Sequence, residues 1–258
     1  MAIYRFGKHP PEIDYRTLRL ADYLGPALPP PPASFENLAR VEMNLKNATP
    51  STLFPVDGND VYGDCTIAAA AHADTMYFGL DGDELVPARQ EVIKLYFKLT
   101  GGPDTGLSML TVLDYWRHNN LFTRAQPLPL PATGGDEMIA YVSINPKNHV
   151  HVQQAIRLFG GIYVGFQVQQ NCIQEFEAHQ PWTPGPLTND GHAVFATDYD
   201  QTNVRVLTWG STQLGSWAWW DECVDEAYAI LPPAARRSGF DPGFNLQQLA
   251  ADLAMVAD

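Results

Sequence analysis

The sequence is short of cysteine, of positive charge and of long apolar runs, and each shortage excludes a class of protein. Three cysteines among 258 residues, Cys65, Cys172 and Cys223, are too few and too scattered for a disulfide framework, and their odd number leaves at least one thiol free. A reducing compartment is expected. No CxxC pair exists, His149 and His151 have no third ligand at useful spacing, and neither Asp57-Asn59-Asp60 nor Asp81-Asp83-Glu84 continues into a calcium loop. No metal or other cofactor is expected. Sixteen Lys and Arg against 29 Asp and Glu give a formal charge of -13 with no basic run, which repels phosphate backbones. Nucleic acid is therefore not an expected partner. No stretch approaches the ~18 uninterrupted apolar residues of a membrane span, and Met1 to Lys8 has no signal-peptide core. The expectation is a soluble cytoplasmic protein with no membrane partner.

What is present is enough material for a core: 45% of residues are apolar, 11% aromatic and only 17% charged. That length and composition suit one sizeable domain or two lobes sharing a cleft. Residues 1 to 48 read as an extension stiffened by Pro10-Pro11 and Pro29 to Pro32, with one short helix over Leu38 to Leu45. Apolar periodicity predicts helices over Cys65 to Phe78, Pro87 to Leu99 and Leu107 to His118. A proline-leucine run, Pro127 to Pro131, then Gly134-Gly135, places a lobe boundary near residue 130. Beyond it, strands are predicted at Met138 to Ser143, Ile162 to Val168, Ala193 to Tyr199, Val204 to Trp209 and Ala227 to Leu231, with helices at His149 to Phe159 and Phe244 to Val256. The class is α+β: a helical lobe over 49 to 130 and a mostly antiparallel sheet lobe over 131 to 258.

Two segments carry chemistry. Asn59-Asp60-Val61-Tyr62-Gly63-Asp64-Cys65 is a turn-rich stretch that runs straight into an alanine-rich helix. With Asp64 as N-cap, Cys65 becomes the first helical residue, where free backbone N–H groups and the positive dipole end stabilise a thiolate. His72 lies seven residues on, about 10 Å of helical rise, beyond hydrogen-bond reach of that sulfur. Downstream, Asn189-Asp190-Gly191-His192 reads as a polar turn entering an apolar strand, with a hairpin to the next strand about Asp200 to Asn203. Cys172 and Cys223 have no histidine nearby and read as passive core thiols. Ser211 lacks a Gly-x-Ser-x-Gly elbow.

Together these segments resemble the papain-like cysteine peptidases. The separation 192 − 65 = 127 residues is close to the ~130 between nucleophile and base in that family. Asn59 stands six residues before the cysteine, where the family has a glutamine, and Gly63 matches the family glycine two before it. Gly191-His192-Ala193-Val194 and Thr208-Trp209-Gly210 resemble its His-Ala-Val strand and the tail of its Asn-Ser-Trp-Gly motif. The departures are a missing Gly-Ser-Cys-Trp signature and no orienting asparagine: an ungapped count, 208 − 192 = 16, puts Thr208 at its place, whereas aligning Trp-Gly on Trp-Gly puts Leu207 there.

The resemblance implies a two-lobed fold in which Cys65 and His192 form a thiolate-imidazolium pair across a cleft. Asn59 would join the Cys65 N–H as oxyanion donor, Thr208 would orient the histidine, and a thioester would form on attack at a peptide or other amide bond. An acyltransferase or transpeptidase on the same site and a catalytically silent binding module stay open beside the hydrolase. Asp64 opposes a neighbouring thiolate unless it points to solvent. By its position the extension either lies across the cleft or wraps the back of the helical lobe, and wrapping is the expectation.

Overall fold

A computed structural model describes residues 4–46, 48–122, 138–232 and 243–256. The expected lobe boundary at Pro127 to Gly135 lies outside the described residues. A helix that is apolar on every side must be buried all round. That is the place of α3 (Cys65–Asp81), which is buried from Cys65 through Tyr77 and ends on Gly82 in the left-handed conformation. Its small side chains, Ala68 to Ala71 and Ala73, let a sheet strand pack against it closely. Around it stand α1 (Asn37–Asn44), the one-turn α2 (Pro50–Leu53), α4 (Arg89–Leu99) and α5 (Met109–His118).

The second lobe is an antiparallel sheet in the order β2 (Ala140–Ile144), β7 (Val224–Leu231), β3 (Ile162–Gln169), β4 (Leu187–Tyr199), β5 (Asn203–Thr208), β6 (Ser211–Ser216), with β1 (Phe35–Glu36) added beside β4. Alternation along the strands divides two cores. Tyr163, Phe195, Leu207, Tyr228 and Ile230 face the helical lobe, whereas Val164, Val194, Ala196 and Ala229 face the opposite core. That second core is covered by α6 (His149–Phe159), α7 (Cys172–Glu177), α8 (Trp217–Cys223) and α9 (Leu246–Met255). Leu249 of α9 is fully buried there and Leu246 and Leu253 pack at its edge, as the spacing of the C-terminal apolar residues predicts.

Three expectations need correction. β4 starts at Leu187, so Asn189-Asp190-Gly191 belongs to the ladder, with Gly191 opposite Gln167 and His192 opposite Phe166. Cross-strand pairing overrides the local turn chemistry of those residues. The prolines of the extension argue against a regular ladder there, yet they end at Pro32 and leave Phe35 and Glu36 free to pair with Tyr199 and Asp198. Finally, residues 1 to 48 do not only wrap the helical lobe. α1 lies on α3, but Tyr4 to His9 runs into the cleft between the lobes.

Candidate active site

Cys65 is the first residue of α3, as the sequence predicts, and it is buried. The backbones of Ala193, from β4, and of Gly7, from the N-terminal segment, favour the charged form of its sulfur and so partly oppose the effect of burial. His192 stands on β4, also buried, with its Nε2 2.9 Å from Thr208 Oγ1 and its Nδ1 without a partner. A hydroxyl that accepts the Nε2 proton leaves the Nδ1 lone pair free, which is the tautomer a base requires. The imidazole lies against the Trp209 indole, centroids 4.5 Å apart and planes 23° from parallel. Cys65, His192, Thr208, Trp209 and Asn59 all line one cavity of about 10 Å³, room for a single water.

Asn59 is placed by its loop and by Trp209. Its Oδ1 accepts from Trp209 Nε1 at 2.6 Å, while its Nδ2 donates to Arg5 O at 2.9 Å and Tyr62 O at 3.2 Å. The amide expected to hold an oxyanion therefore holds a carbonyl of the N-terminal segment. The sequence marks Trp209 only as part of the Thr208-Trp209-Gly210 resemblance; its contacts to both His192 and Asn59 show only in the fold.

His72 lines the same cavity from the next turns of α3, since positions 65, 68, 69 and 72 share a helix face. Its Nε2 lies 2.9 Å from Pro55 O, an acceptor only, so that nitrogen carries the proton; Asp57 Oδ2 is 3.5 Å away. Sequence reasoning set His72 aside as a base, and its Nε2 is indeed committed elsewhere.

Electrostatics depart from expectation at Asp64. It holds the N-cap position of α3 but makes no side-chain cap bond, and it is fully buried rather than turned to solvent. Gly58 leaves room for it: a Cβ there would sit 2.2 Å from Asp64 Oδ2. Burial pushes Asp64 up to about 7, and pushes the neighbouring Asp57 up to about 8 with help from the Asp64 charge. Burial likewise drives the Cys65 thiol up to about 11 and His192 down to about 3. In this closed arrangement burial favours a neutral thiol and a neutral imidazole over the ion pair expected from the sequence.

The burial comes in part from Tyr4 to His9. Phe6 meets His192 edge-on at 5.7 Å and Tyr4 packs on Trp209 at 4.7 Å. Lys8 N donates to Gly191 O at 3.1 Å, and Gly7 O and His9 N bond the Leu107 backbone at 2.9 and 3.0 Å.

The arrangement of a helical lobe against an antiparallel sheet lobe is shared with solved cysteine proteases. Xylellain, a cysteine protease from Xylella fastidiosa, aligns at a TM-score of 0.61 with 16% identity over 88% of this chain and 96% of its own. A procathepsin B from Trypanosoma congolense aligns at 0.60, 16% identity, 88% and 86%. The chain has the papain-like fold. The cysteine protease and lectin-like domains of Cwp84 from Clostridium difficile align at 0.53 and 15% identity over 90% of this chain and 57% of that one. No family model and no curated protein matches the sequence.

Proposed function

We propose that the chain is a cysteine-dependent hydrolase of peptide or other amide bonds, held closed by its own residues 4–9. The observation that carries the reading is the shared cavity of Cys65 and His192, in which the histidine has Nε2 on Thr208 and Nδ1 free. Once the N-terminal segment leaves, Cys65 loses burial, the largest cause of its raised pKa, and His192 loses the burial that keeps it neutral. Proton transfer from thiol to imidazole then produces the nucleophile.

The Cys65 sulfur attacks the carbonyl carbon, and the oxyanion takes the N–H of Cys65 and the Asn59 amide that Arg5 O has vacated. Collapse expels the amine with a proton from His192 and leaves a thioester on Cys65. Water, deprotonated by His192, returns the free acid and the thiol; an amine in place of water makes the same site an acyltransferase.

A silent binding module is the second reading, and the buried Asp64 beside the sulfur is what favours it. Labelling of Cys65 by a peptidyl acyloxymethyl ketone, which alkylates a thiolate at its methylene carbon as the carboxylate leaves, separates the two. The hydrolase reading expects His192-dependent labelling; a silent module gives none above the level of a simple thiol.

A further inference from the structure

The N-terminal segment does more than cover the cysteine, because one of its side chains fills a pocket. Lys8 leaves the backbone beside the catalytic pair: its N–H is on Gly191 O, next to His192, and the preceding Gly7 lies against Gly63, two residues before Cys65. From there its side chain, 1% exposed, enters the sheet lobe, and Nζ ends 3.1 Å from Asp225 Oδ2 and 3.0 Å from Glu226 Oε1, both at the start of β7. Glu226 is itself buried and is fixed by the Tyr228 hydroxyl at 2.9 Å.

The walls are shaped for a long side chain that lies flat. At Gly165 on β3, a Cβ would come within 2.1 Å of Lys8 Cε, and at Gly191 one would come within 2.4 Å of Lys8 O. Gly191 lets the Lys8 backbone approach, Gly165 opens the channel for its side chain, Met109 lines it, and two carboxylates close its end. Neutral side chains gain nothing from such an end: they would leave a buried carboxylate without a cation.

Resting on the reading that this cleft takes a peptide, we infer that the Lys8 pocket is a substrate subsite for a basic side chain, which Lys8 occupies while the cleft is closed. The substrate class is thus a peptide or amide carrying Lys or Arg near the bond attacked. The segment holds the cleft by offering the side chain the cleft selects. When it withdraws, Asp225 and Glu226 lose their cation, and an incoming basic group restores it.

The test uses the full-length chain with Lys8→Ala and two peptidyl acyloxymethyl ketones that differ only in carrying lysine or its uncharged analogue norleucine. Cys65 is expected to be alkylated at least about tenfold faster by the lysine probe, a modest floor beside the ~10⁴-fold rejection shown by sites with buried polar groups. The preference should vanish in Lys8→Ala with Glu226→Gln. Equal rates for the two probes overturn the subsite and leave the nucleophile intact.

Failure of both probes points instead at the nucleophile, and thermal unfolding of Lys8→Ala then decides the pocket. Butylammonium should restore folding or raise Tm where butanol does not; equal effects, or none from either, overturn the inference. Should Lys8→Ala fail to fold at all, the two probes are compared in prolonged labelling of the wild-type chain and Glu226→Gln, with the same ordering expected and equal rates again contrary to it.

Discussion

The indole of Trp209 lies 4.5 Å from the imidazole of His192 and nearly parallel to it, while its N–H is hydrogen bonded to Asn59 at 2.6 Å. One side chain thus positions both the proposed base and the proposed oxyanion donor. Its backbone is forced into this role: Trp209 has φ 47° and Gly210 φ 76°, the left-handed pair that a tight β5–β6 turn requires. A bulky residue there stores about 1–3 kcal/mol of strain.

Trp209→Phe keeps a ring on His192 but leaves the buried Asn59 Oδ1 without its donor. It should cost about 1–3 kcal/mol in urea unfolding. Trp209→Ala, which also removes the stack, should cost about 3–5 kcal/mol. Equal stability of the phenylalanine variant and wild type would show that the indole N–H positions nothing.

Thr208 stands where the resemblance leads one to expect an asparagine, and its hydroxyl is the sole recorded partner of His192 Nε2 among the described residues. Thr208→Ala should lower the His192-dependent alkylation of Cys65 by about tenfold or more, the scale of lost orienting contacts, and Thr208→Ser should restore it. A threonine-independent rate would leave the imidazole oriented by Trp209 alone.

Asp57 and Asp64 shape the pH dependence of folding. Their folded pKa values, about 8 and about 7, lie above the unfolded 3.8, so they hold protons in the native state and lose stability as pH rises from 4 to 8. His72 and His192, pushed to about 4 and about 3 from 6.5, act the opposite way up to pH 6.5. The two pairs offset one another in that range. From pH 6.5 to 8 the carboxyls outweigh the residual protonation of the unfolded histidines, and stability should fall by about 1–2 kcal/mol at 1.36 kcal/mol per unit. The double variant Asp57→Asn with Asp64→Asn should flatten this fall; a fall of the same size would place its source elsewhere.

Gly7 touches the loop before the nucleophile so closely that a Cβ would sit 1.8 Å from Gly63 O, a backbone atom that cannot swing aside. Gly7→Ala should therefore lift the segment and raise Cys65 alkylation by iodoacetamide about tenfold or more, the weight of a displaced ~1.4 kcal/mol closure, with the far-ultraviolet dichroism unchanged. Loss of soluble protein instead would show that Tyr4 to His9 belongs to the core and not to a removable cover.

Much of this was legible in the sequence, for identifiable reasons. The apolar, alanine-rich run after Asp64 could only be a central helix, and its first residue could only be Cys65. β3, β5 and α6 followed from alternation and helical spacing. β6 was not legible, because Ser211 to Ser216 has only Gln213 and Gly215 buried and no apolar alternation. The fate of Asp64 was hidden as well. A good N-cap residue normally reaches back to its helix in water, whereas here it is turned into a space that Gly58 opens. Lys8 gave no signal at all, since a lysine near a terminus reads as solvated until tertiary structure brings Asp225, 217 residues away, and the adjacent Glu226 to it.

The most direct test of the account is the pH profile of Cys65 alkylation in the Gly7→Ala chain, followed by peptide mass mapping. A thiolate paired with His192 should react already near pH 6, well ahead of Cys172 and Cys223, and His192→Asn should abolish that low-pH reactivity. A profile rising only above pH 9 and indifferent to His192→Asn, or preferential labelling of Cys172 or Cys223, would contradict the claim that Cys65 and His192 work as a pair.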